Sequence, residues 1–75
     1  MKVLFQVVDR YQESVPDNKF YDVEGDSLNE EVVLKLMSEY YDDEFTEIGK
    51  YRELSKSQQC WCVWGEETDI IVTVL

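Results

Sequence analysis

Apolar positions recur along the chain in two periods, and the switches between them mark out the elements. Over residues 1–9, Val3, Phe5 and Val7 alternate with Lys2, Leu4, Gln6 and Val8. That period of two describes a strand with one clearly apolar face. Ser14-Val15-Pro16-Asp17-Asn18 is turn chemistry, because proline presets φ while Asp and Asn bond locally to the backbone. A short strand over residues 19–24, carrying Phe20, Tyr21 and Val23, is expected to return beside the first.

The period then changes. Ser27 followed by Glu30 forms a capping box, in which each side chain satisfies the other residue's end of the first turn. A helix over residues 28–41 follows, with Leu28, Val32, Val33, Leu36, Met37 and Tyr40 on one broad stripe. Leu34 and Tyr41 widen the stripe, so most of this helix should be covered.

Beyond the helix, residues 45–54 read as a strand, with Gly49 inside it as a bulge marker. Ser55-Lys56-Ser57 is a turn, residues 58–64 a strand, residues 65–69 a second turn, and residues 70–75 a closing strand. The last three strands make a meander. The predicted fold is α+β in the order β(β)αβββ: an antiparallel sheet of four to five strands with one helix packed across one face. No repeat or linker interrupts residues 1–75, which are read as one compact domain.

Composition supports a real core in a short chain. Of the 75 residues, 44% are hydrophobic and 13% aromatic, so no disulfide or metal staple is required. No apolar run approaches the roughly 18 to 20 residues that span a bilayer. The opening segment lacks the longer apolar region and small-residue cleavage site of a signal peptide. A cytoplasmic protein is expected, in a host cell if phage-encoded.

Charge narrows the partner. Seventeen acidic residues against seven basic ones leave a net charge of −10. That balance argues against direct nucleic-acid or anionic-membrane binding, which needs clustered Lys and Arg. It steers basic proteins instead.

Catalytic chemistry is poorly provided for. There is no histidine to serve as a base near neutral pH, and none of the five serines sits in a nucleophile elbow. A non-enzymatic role is expected, with no catalytic residue and no cofactor. Cys60-Trp61-Cys62 is too few ligands for structural zinc and reads as two reduced, packed thiols. Asp22-Val23-Glu24-Gly25-Asp26 suggests a calcium loop, but the sixth and twelfth positions fall on Ser27 and Val33 where glycine and glutamate are needed. No metal site is expected.

Two segments carry the binding hypothesis. Asp42, Asp43 and Glu44 follow Tyr41 at the helix C-terminus, where the dipole disfavours anions, and Glu47 lies on the next segment. A local choice that works against stability tends to mark function. On the strand over residues 58–64, Cys60, Cys62 and Trp64 share one face, and Trp61 and Val63 the other. One helix covers one side only, so a tryptophan is left as a contact anchor. The partner-binding residues are therefore expected among Tyr41, Asp42, Asp43, Glu44, Glu47, Trp61 and Trp64.

In size, charge and α+β build the chain is similar to small acidic phage proteins that block CRISPR, restriction or repair enzymes. The likeness is one of composition, and no motif ties it to a family. It implies a nucleic-acid mimic of anti-CRISPR or anti-restriction type. Alternate carboxylates on a strand lie roughly 7 Å apart, and each duplex strand offers a charge about every 3.4 Å, so an acidic face can match a basic groove. The alternative is a general interaction module, or a homodimer that pairs through an aromatic strand surface. A small-ligand or metal-binding domain is the third.

Overall fold

The elements follow in the order β1 (Lys2–Asp9), β2 (Asp17–Asp22), α1 (Glu30–Tyr41), β3 (Arg52–Lys56), β4 (Cys60–Trp64) and β5 (Thr68–Val74). This is a computed structural model, and it describes residues 1–9, 11, 16–45, 52–56, 59–64 and 68–75, with the backbone alone at 52–56 and 64. The five strands form one antiparallel sheet in the order β2-β1-β5-β4-β3. The expected α+β fold, the single helix and the closing meander are all present. The first and last strands lie side by side, and β2 and β3 form the two edges. Helix α1 and the connection after it therefore carry the chain from one edge of the sheet to the other.

Strict alternation decides what the helix covers. Val3 and Phe5 of β1, Trp61 and Val63 of β4, and Ile70 and Val72 of β5 are buried with Val33, Leu36 and Met37 of α1. Each pair of neighbours agrees in register, as with Phe5 opposite Val72 and Trp61 opposite Val72. Every buried residue in this core is hydrophobic. Its residues come from three strands and the helix, which is how a short chain closes a core without a covalent staple.

Local chemistry moves several boundaries from their expected places. The helix begins at Glu30 and is capped by Asn29, whose side-chain oxygen accepts from the Val32 amide at 2.9 Å. Ser27 is thus not the cap, and no Ser27–Glu30 box forms. Asn is as good a cap as Ser, and capping at Asn29 leaves Leu28 outside the helix but buried. Leu28 and Val33 then occupy the two positions of a hydrophobic staple, both inside the core. The gain from burying Leu28 explains the later start.

Strand β2 begins at Asp17, two residues earlier than expected, because Asp17 and Asn18 pair with Val7 and Gln6. The Gln6 side-chain amide donates to Asn18 Oδ1 across the two strands at 3.1 Å. Likewise Ser55 and Lys56 belong to β3 and not to a turn, since they pair with Cys62 and Trp61. A register shift falls between Glu53 and Ser55. The bulge expected at Gly49 and residues 46–51 of the expected strand over 45–54 lie outside the described residues, while Phe45 is not in a strand.

Candidate functional site

The acidic segment after the helix is held mainly through one residue, Ser38. Ser38, in the last turn, donates its hydroxyl to the Leu34 carbonyl at 2.9 Å. The same oxygen accepts from the Phe45 amide at 3.0 Å. Its own carbonyl accepts from the backbone N–H of Asp42 and, at 3.2 Å, from that of Asp43. A further bond runs from the Glu44 amide to Asp43 Oδ1 at 2.8 Å. Four consecutive residues, 42–45, thus have their amides tied down, those of Asp42 and Asp43 on the Ser38 carbonyl.

Asp42 turns the chain by adopting a left-handed conformation, φ 51 and ψ 45. Glycine is the usual residue there; Asp is tolerated because its short polar side chain suits that region. The carboxylates of Asp42, Asp43 and Glu44 are all exposed. No basic residue lies in the last helical turn to offset them. The electrostatic conflict expected from the sequence is therefore present at this helix end.

Aromatic rings connect this end to the sheet. Phe5 lies 5.1 Å from Tyr40, Tyr40 lies 4.8 Å from Tyr41 edge-on, and Tyr41 lies 5.7 Å from Phe45. Tyr41 is 38% exposed, so the outer part of the chain of rings is open beside the carboxylates. The Tyr40 hydroxyl donates to Asp17 on β2, and this bond, followed by desolvation, pushes the phenol up to about 12. Asp17 is also exposed and adds a fourth carboxylate reached through Tyr40.

Of the residues expected to bind a partner, Tyr41, Asp42, Asp43 and Glu44 are together and accessible. Glu47 lies outside the described residues. Trp61 is corrected from a candidate surface anchor to a core residue, 7% exposed on the helix side of the sheet. Trp64 ends β4, paired with Arg52 and Asp69, and its side chain lies outside the described residues. Cys60 and Cys62 are thiols not joined in a disulfide, half-buried on the face away from the helix, and burial raises the Cys62 thiol, with Asp69 and Cys60 contributing.

Asp17, Ser38 and Phe45 were missed as parts of this site. Asp17 reads as a turn residue until its pairing with Val7 is known. A helical serine seven residues before an aromatic carries no recognisable signal. A second acidic region runs along α1, where Glu24, Glu31 and Glu39 line a shallow groove with Lys35. By contrast, strand alternation puts few acids on the open face of the sheet; among the described residues these are Asp22 and Asp69. Among the residues whose side chains are described, the acids are thus concentrated on the helix side and at its ends. No protein-family model, curated protein or solved structure matches this chain.

Proposed function

We propose that this is a non-enzymatic binding protein that presents carboxylates in place of phosphates and blocks a basic, nucleic-acid-handling enzyme. The observation that carries the reading is the fixed acidic turn, Asp42-Asp43-Glu44, exposed beside Tyr41 and anchored through Ser38. Fixed anions lose little freedom on binding, which is the advantage of preorganisation. A net charge of −10 adds long-range steering toward a basic groove. The open ring of Tyr41 offers a base-like surface for stacking by Arg.

The test uses purified nucleases, restriction enzymes and CRISPR effector complexes acting on a defined DNA substrate. The protein should inhibit at least one of them, in competition with DNA and less strongly at high salt. Replacing Asp42, Asp43 and Glu44 by Asn, Asn and Gln should weaken inhibition at least tenfold. The same charge removed by Glu24→Gln, Asp26→Asn and Glu31→Gln, toward the other end of the helix, should have a much smaller effect. Equal losses in both variants would reduce the effect to net charge, and no inhibition of any enzyme would end the proposal.

A further inference from the structure

Helix α1 covers one face of the sheet, and among the described residues no element covers the other. Leu4, Val8, Phe20, Cys60, Cys62 and Ile71 alternate onto that open face, and none of them belongs to the core or packs against it. Phe20 is 58% exposed. Register lines these residues up in rows: Phe20 lies opposite Leu4, Leu4 opposite Thr73, and Thr73 opposite Cys60. One continuous row thus crosses four strands. A largely apolar band of this kind, with Phe20 exposed and its neighbours half-buried, suits a contact surface on a strongly charged small protein.

We propose that a second copy of this chain occupies the open face, packing sheet to sheet about a twofold axis. Charge selects the occupant. Among the residues whose side chains are described, alternation puts Lys2, Asp22 and Asp69 on this face, one positive and two negative charges, against −10 for the whole chain. A basic partner is drawn to the helix side and finds little to recognise here. A second copy brings an equally charge-poor face, so few charges are desolvated.

Geometry keeps the acids apart. Packed sheets stand about 10 Å apart, and each copy's helix lies on the far side of its own sheet. The two acidic helix layers are then separated by several times the Debye length of about 8 Å at physiological ionic strength.

Area supports the same occupant. Five strands about 4.8 Å apart and about six residues long give a face of about 24 by 20 Å. That is about 480 Å² per copy and about 960 Å² for the pair, at the threshold of about 1,000 Å² where weak, transient interfaces lie. The isologous contact is self-complementary by symmetry. Its modest size fits a reversible dimer of micromolar affinity. The inference stands independently of the role proposed for the acidic turn.

Sedimentation velocity over micromolar to millimolar protein, at low and high salt, tests it. A reversible monomer–dimer equilibrium is expected, tighter at high salt because residual repulsion between like-charged copies is screened. Ile71→Lys should abolish the dimer, and Phe20→Ser should weaken it at least tenfold, each with an unchanged circular dichroism spectrum. Should Ile71→Lys disturb folding, Phe20→Ser decides alone, since that ring is largely exposed. A monomer at every concentration would overturn the proposal and leave the face to a different protein. A dimer that survives both substitutions would overturn it too, by placing the contact elsewhere.

Discussion

The hydroxyl of Tyr40 donates to the carboxylate of Asp17, joining the end of the helix to an edge strand twenty-three residues earlier. The bond holds only while the phenol keeps its proton. In the folded chain the phenol is pushed up to about 12 from an ordinary value near 10. A raised value means that this contribution to stability is complete below about pH 10 and is lost as pH rises through about 12. Absorbance at the phenolate band should show a tyrosine step near pH 12. Asp17→Asn should bring that step down, and Tyr40→Phe should remove it. Wild-type stability should fall more steeply than that of Tyr40→Phe above about pH 10.

Ser38 is expected to order the acidic turn more than it stabilises the fold. Ser38→Ala removes the hydroxyl that accepts from the Phe45 amide. The cost should be about 1 kcal/mol, the net worth of an ordinary hydrogen bond. Hydrogen exchange is the sharper measurement. The Phe45 amide should lose protection in Ser38→Ala while amides in β1 and β5 keep theirs. Equal loss everywhere would mean general destabilisation instead.

Asp42 occupies a left-handed position at the negative end of a helix. Asp42→Gly relieves both the backbone cost and the charge conflict, so stability should rise by about 1 kcal/mol. Asp42→Asn keeps the left-handed tolerance and removes only the charge, and should give a smaller rise. Urea denaturation of the two variants separates the terms. If neither gains, the turn is already relaxed at Asp42.

Trp61 is buried against the helix side of the sheet, whereas Phe20 on the open face is largely exposed. Trp61→Ala should cost about 3 to 5 kcal/mol through lost contacts and the cavity left behind. For a domain of this size that is a large part of the whole stability, about 0.05 to 0.15 kcal/mol per residue. Phe20→Ser should cost well under 1 kcal/mol. Chemical denaturation midpoints give the contrast directly; similar losses at the two positions would contradict the assignment of faces.

Much of the fold follows from local patterns. Alternation at Val3, Phe5 and Val7, the stripe through Val33, Leu36 and Met37, and the meander after the helix are properties of short segments. Each depends on the two backbone periods, and the structure has all of them. The acidic turn was legible for the same reason, since Tyr41, Asp42, Asp43 and Glu44 are consecutive and must share a helix end.

Tertiary structure decided the rest, wherever a choice depended on distant residues. Ser27 and Asn29 are both competent caps, and the burial of Leu28 among residues far along the chain favoured Asn29. The two faces of β4 differ little in sequence, and Trp61 became core only because α1 crosses that side of the sheet. Asp17 met Tyr40 because β2 pairs with β1 and the helix returns over both. Periodicity fixes which side chains share a face, but which face is covered is set by how separated elements pack, and a local pattern carries no record of that.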